Sequence, residues 1–211
     1  IAWLTASGVE VSYCLVTSGD AGGDNDGLSS SQRSELREKE QTNAAKVVGV
    51  DNIHFLKQPD GMIVADLDLR EKITRVIRKE KPDLVITQSP TRRYDRIYAS
   101  HPDHLATGEA AFCAVYPDAR NPNAFAHLLD EKYLPHKVPH LWVMADEHPD
   151  TFVNISDIFE RKLEALFEHK SQIADQDQVR VMMSEWAASM AALGGLKEGQ
   201  YCEAFRYVNT A

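Results

Sequence analysis

Leu84-Val-Ile-Thr87, then Tyr98-Ala-Ser-His-Pro-Asp-His104, then Leu105-Ala-Thr-Gly-Glu-Ala-Ala-Phe-Cys-Ala-Val115 decides the fold of this chain. The first run is short and apolar, which suits a buried strand. The last is Ala-rich and reads as a helix, with Pro102 in its first turn, where a missing N–H costs nothing. Ser100 or His101 is then the N-cap. His101 and His104 lie three apart, so one helical turn brings both imidazoles to one face. An open α/β sheet gathers its ligands at the carboxyl ends of such strands. Imidazole serves both metal binding and proton transfer near neutral pH. A Pro-started helix with two surface histidines accounts for the same residues without any chemistry.

Outward from this stretch the alternation repeats. A helix over 66–81, with Leu67, Ile73, Val76 and Ile77 as apolar positions, precedes the strand that begins at Pro82. Before it come a strand at 52–56 and a helix at 32–48, introduced by Ser29-Ser-Ser31 and closed by Gly49. Residues 9–16 read as a strand and 1–7 as the end of a helix that stops on Gly8. Strand–helix alternation predicts an α/β, Rossmann-like three-layer fold with a mostly parallel central sheet. A helix running straight into such a strand implies an earlier strand. The sheet is therefore expected to lack its first strand in this chain. Beyond the opening stretch, 116–140 is a long Pro-, Asn- and Asp-rich excursion with a helical patch at 124–129. Strands are predicted at 141–145, 151–155 and 203–208, and helices at 157–169 and 177–193. No repeat interrupts this, so one domain over 1–211, N-terminally truncated, is the expectation.

The 23 basic residues against 32 acidic ones leave a net charge of −9. That argues against nucleic acid and against an anionic membrane surface as partners. Cys14, Cys113 and Cys202 lack paired spacing and sit in apolar runs, which suits buried free thiols in a reducing, cytoplasmic setting. The Gly-rich run Thr17-Ser-Gly-Asp-Ala-Gly-Gly-Asp-Asn-Asp-Gly27 lacks a P-loop Lys and the terminal Glu of a calcium loop. It reads as a ligand-lining loop or as a simple turn. Arg37-Glu-Lys-Glu40 reads as a solvated helix face, and Pro59-Asp-Gly61 as a turn in which Asp60 is structural. His169 reads as a helix-end cap. Arg93, Tyr94 and Tyr98 could shape a substrate entrance, though exposed loop residues of these types are common. The stripe Met182, Met183, Trp186 and Met190 reads as core or as the contact of a homo-oligomer.

Taken together, these segments resemble the LmbE/PIG-L deacetylases. His101-Pro-Asp-His104 sits between an Asp-Leu-Val-Ile strand and an Ala-rich helix. Thr17-Ser-Gly-Asp-Ala-Gly22, Arg37-Glu-Lys-Glu40, Phe55-Leu56 with Pro59-Asp-Gly-Met62, Lys162-Leu163 with His169-Lys-Ser-Gln172, and Glu203-Ala-Phe-Arg206 follow in family order. The resemblance implies a Rossmann-like sheet carrying one divalent metal, usually Zn2+, and hydrolysis of the N-acetyl group of N-acetylglucosamine-type substrates. It implies His104 as a metal ligand and His101 as the imidazole that stabilises the oxyanion or protonates the leaving amine. Asp103 would orient and charge-balance His101, Arg37 would border the substrate site, and Asp60 would bind sugar hydroxyls. These residue types suit the reaction. Amide hydrolysis needs an activated water, a carboxylate to take its proton and a donor at the developing oxyanion. The family's first motif, His-Pro-Asp-Asp-Glu, supplies two ligands and the general base, and it does not occur in the 211 residues. His148-Pro-Asp150 is followed by Thr151 and reads as a surface turn. The chain as it stands is therefore expected to be inactive. The alternatives are a non-catalytic sugar- or metabolite-binding homologue and an amidase of the same fold acting on thiol conjugates.

Overall fold

In the computed structural model, which describes residues 1–23 and 27–211, the chain begins with α1 (Ala2–Ala6), β1 (Ser12–Thr17), α2 (Ser30–Val47) and β2 (Asn52–Gln58). It continues through α3 (Leu67–Glu80), β3 (Leu84–Gln88), α4 (Pro102–Cys113), α5 (His127–Asp130) and β4 (His140–Met144). It closes with β5 (Thr151–Asn154), α6 (Phe159–Phe167), α7 (Gln176–Leu193) and β6 (Cys202–Asn209). Asp24, Asn25 and Asp26, weighed above as part of a calcium loop, lie outside the described residues. Two compact units emerge: 1–60 with 152–204, and 61–151 with 205–211. No helix among the described residues is long and apolar enough to cross a membrane.

In the first unit β1 and β2 pair in parallel, from Ser12 opposite Asn52 to Leu15 opposite Phe55. Ala2, Ala45, Val48 and Val50 form the core beneath them. The serine run before α2 works as expected. Ser29 Oγ accepts the Gln32 N–H at 3.3 Å while the Gln32 side chain accepts the Ser29 N–H at 2.9 Å, a reciprocal capping box. A second core joins Ile155, Phe159, Leu163 and Ala187. On α7 the buried positions are Ala187 and Ala191, with Met183 packed beside them, while Met182 stays exposed. The methionine stripe is thus core only in part.

In the second unit β3 and β4 are parallel, Leu84 opposite His140 through Gln88 opposite Met144. β6 then runs antiparallel to β4, with Leu141 opposite Val208 and Val143 opposite Arg206. The sheet, expected to be mostly parallel, is not wholly so. A strand's residues report its burial, whereas its direction is set by how the chain returns to it, and mixed sheets are common.

The excursion after α4 is built rather than loose. Arg78, 1% exposed, donates from Nη2 to the carbonyls of Asp118, Asn121 and Ala124 at 2.9, 2.8 and 3.0 Å. Its Nε donates to the Ala119 carbonyl at 3.2 Å. Arg70 grips the buried Asp118 carboxylate through two hydrogen bonds, at 3.0 and 2.9 Å.

Candidate functional site

Helix α4 lies hard against the end of β3 because residue 108 is a glycine. A Cβ there would come within 2.5 Å of the Gln88 carbonyl oxygen and 3.0 Å of Pro90 N. That close approach fixes where the first turn of α4 sits. His101, not Ser100, is the N-cap. Its Nδ1 accepts the N–H of Asp103 at 3.2 Å. An accepting Nδ1 carries no hydrogen, so the neutral ring holds its proton on Nε2. His101 and His104 are both exposed, their rings 5.6 Å apart and inclined at 55°.

Asp103, expected from the resemblance to orient and charge-balance His101, is itself anchored by the backbone of the 61–63 segment. Its carboxylate, in a residue only 5% exposed, accepts the N–H of Gly61 at 2.7 Å and of Ile63 at 3.2 Å. The main-chain N–H of Asp103 contacts the His101 ring directly, at Nδ1. The reason is geometric: at the start of a helix the backbone donors lack partners, and the side chain one residue earlier is within reach. Asp103→Asn should therefore cost about 1.5 kcal/mol by weakening two charge-assisted bonds. A urea titration reads this, and a change below about 0.5 kcal/mol would mean that the 61–63 backbone does not depend on the carboxylate.

Arg37 and Asp60 belong to the first unit, and both hold the Gly-rich loop. Arg37 donates to the carbonyls of Gly19 at 2.6 Å and Gly22 at 2.9 Å, and its Nε is buried without a partner among the described residues. Gly19 has φ +67°, and any side chain there would collide with this guanidinium. Asp60 accepts the Ala21 N–H at 3.3 Å, while its own N–H donates to Asp20 Oδ1 at 3.1 Å. The predicted residues thus fall into two groups. Arg37 and Asp60 meet around residues 19–22, while His101, Asp103 and His104 share the first turn of α4.

Glu40 was missed, since its charged surroundings read as a solvated face. It is buried, and its carboxylate accepts the N–H and the hydroxyl of Ser171, each at 2.7 Å. Its position three residues after Arg37, on the same face of α2, was the available signal. Beside it, burial holds the His169 imidazole below its usual pKa, with Glu40 raising it, Arg37 lowering it and Glu168 raising it. A depressed folded-state pKa means that the unfolded chain binds the proton more readily. The associated stability is present above about pH 6.5 and is lost as pH falls through and below that value. Melting temperatures should thus decline from pH 7 to pH 5, and His169→Gln should flatten that decline. An unchanged slope in the variant would contradict the assignment.

Among the described residues no three His, Cys, Asp or Glu side chains gather to hold a metal ion. A catalytic zinc takes three protein ligands. The residues described here do not by themselves fit a complete metal centre.

A mixed α/β fold with a His-Pro-Asp-His helix start in one unit, and in the other Arg37 and Asp60 bonded around residues 19–22, defines a class. The chain belongs to the PIG-L (GlcNAc-PI de-N-acetylase) family, whose model matches residues 1–115. The diacetylchitobiose deacetylase of Thermococcus kodakarensis is 31% identical over 210 residues, covering 97% of this chain and 74% of that protein. A probable N-acetyl-alpha-D-glucosaminyl L-malate deacetylase 2 of Bacillus cereus is 31% identical over 177 residues, covering 80% of this chain and 73% of that one. The structure of N,N'-diacetylchitobiose deacetylase from Pyrococcus horikoshii, complexed with its inhibitor MPG, superposes with a TM-score of 0.90 at 29% identity. The match covers 99% of this chain and 76% of that one. These relatives are deacetylases of acetylated amino sugars.

Proposed function

We propose that this chain is an N-deacetylase domain for N-acetylglucosamine-type amides, with His101 as the group that meets the reacting amide. The observation that carries this reading is the cap: Asp103 N–H occupies Nδ1, which leaves Nε2–H as the free donor of an exposed ring. A donor placed at the carbonyl oxygen stabilises negative charge as water adds, and the same proton can pass to the departing amine. Arg37 and Asp60 are proposed to border and bind the sugar, beside residues 19–22, which they hydrogen-bond. Zn2+, expected from the resemblance, would take His104 as one ligand and needs others that the described residues do not gather. The 211 residues alone are therefore proposed to release no acetate from N,N'-diacetylchitobiose even with Zn2+ added. Steady release that His101→Ala abolishes would contradict that part of the reading. A cytoplasmic setting is proposed from the unpaired cysteine spacing; of the thiols expected to be buried, Cys202 is, whereas Cys14 is exposed and Cys113 half-buried.

Calorimetric titration tests the binding half of the proposal. N-acetylglucosamine should bind about tenfold more tightly than glucosamine, the size of one well-made hydrogen bond. His101→Gln should erase that preference. Equal binding of the two sugars, or a preference that survives the substitution, would overturn the reading. A non-catalytic sugar-binding homologue is the second reading, favoured by the lack of a three-ligand cluster among the described residues. It predicts the same preference with no dependence on Zn2+.

A further inference from the structure

Resting on the deacetylase reading, we infer that the loop ahead of His101 is an aromatic platform for the second sugar of a linked N-acetylglucosamine disaccharide. Tyr98 and Tyr94 are its stacking residues. Large rings normally seek burial, yet Tyr94 is 86% and Tyr98 75% exposed. The loop that presents them is firmly closed. Buried Ser100 stands at its base, its Oγ accepting the N–H of Arg93 at 2.8 Å while its carbonyl accepts from Arg92 at 3.4 Å. Arg93 is braced in turn by Asp95, at 3.2 and 2.5 Å, and by the Asp146 carbonyl at 3.4 Å. The result is a compact surface loop closed on one hydroxyl, immediately before the N-cap histidine.

Tyr98 is also held in place. Arg96 Nε donates to its hydroxyl at 3.0 Å, and the guanidinium lies 5.5 Å from the ring centre. One face of the ring is therefore under a cation, and the ring's exposure leaves the rest to solvent. Exposed Met62 follows Gly61, whose N–H donates to the Asp103 carboxylate in the His101–Asp103 turn. A pyranose offers apolar C–H faces ringed by hydroxyls. A fixed aromatic ring with charged groups at its edge suits it, because the ring meets the apolar face and Arg96, Arg93 and Asp95 can meet the rim. A purely apolar tail would meet three charged side chains at the same place.

Saturation-transfer NMR of N,N'-diacetylchitobiose with the 211-residue chain tests this. Both sugar rings should receive saturation from the wild-type protein. In Tyr98→Ala the reducing-end ring should lose it about fivefold, the size of one aromatic stacking contact, while the other ring keeps it. Tyr98→Phe should retain the wild-type pattern, and melting curves should not move, since the ring is exposed. Undiminished reducing-end saturation in a Tyr94→Ala/Tyr98→Ala double variant overturns the platform and leaves the deacetylase reading standing. So does a wild-type dimer that Tyr98→Ala dissociates, because the rings would then be a contact between copies. Absence of saturation in both rings of the wild-type complex overturns the deacetylase reading and the platform with it.

Discussion

Replacing Arg78 by Met is expected to destabilise the second unit by about 3–5 kcal/mol, the cost of breaking a buried charged network on one side only. Arg78 is 1% exposed, so its charge has exchanged water for the carbonyls of Asp118, Ala119, Asn121 and Ala124. Methionine keeps the apolar stem and removes every donor. The Asp118, Ala119 and Asn121 carbonyls keep backbone donors from Asn121, His136 and Ala124, so the loss is that of charge-assisted second bonds at about 1.5–3 kcal/mol each, partly offset because the bare guanidinium no longer has to be desolvated. Urea unfolding should show a lower midpoint at unchanged slope. Arg78→Lys should recover little, since one ammonium lacks the planar fork that spans four carbonyls. A loss below about 1 kcal/mol for Arg78→Met would mean that the 118–124 segment holds itself closed.

Gly108→Val should cost about 3 kcal/mol and should also reach the candidate site. Helix propensity works the other way, because a mid-helix glycine is about 1 kcal/mol worse than alanine. Geometry decides the sign. The new Cβ meets backbone atoms of Gln88, Ser89 and Pro90 at 2.5 to 3.1 Å, and backbone in a strand end cannot swing aside as a side-chain tip would. Helix α4 must back away from β3, carrying His101 and His104 with it. The variant should therefore lose sugar binding together with stability, whereas Arg78→Met acts farther along the chain. Wild-type stability in Gly108→Val would show that the helix has room to spare.

The elements were legible because their signals are local. The Ser29 cap, the Asp66 cap and the Pro102 helix start all lie within one turn of the structure they specify. The candidate site was legible as a series of short segments but not as an arrangement. Those segments prove to be one another's partners: Arg37 with Gly19 and Gly22, Asp60 with Ala21, Glu40 with Ser171, Lys162 with Glu203, Asp103 with Gly61 and Ile63. Partners this distant in sequence leave no periodicity to read. Arg78 was hidden for the same reason, since within Arg75-Val-Ile-Arg78-Lys79 a buried guanidinium looks like any surface base. The backbone partners of Asp103 were not legible, because chemistry alone draws attention to the carboxylate beside an imidazole. In the folded chain the Asp103 N–H meets His101 Nδ1 while the carboxylate holds the 61–63 backbone.

The imidazole 1H–15N correlation spectrum, recorded while N-acetylglucosamine is titrated into the chain, tests the central claim most directly. His101 is predicted to show the Nε2–H pattern before any ligand is added. Its signals and those of His104 should then move with the acetylated sugar and stay still with glucose, while His127, His136, His140 and His148 do not respond. An Nδ1–H pattern at His101, or shifts confined to the other histidines, would contradict the assignment of this turn as the amide-facing part of a deacetylase site.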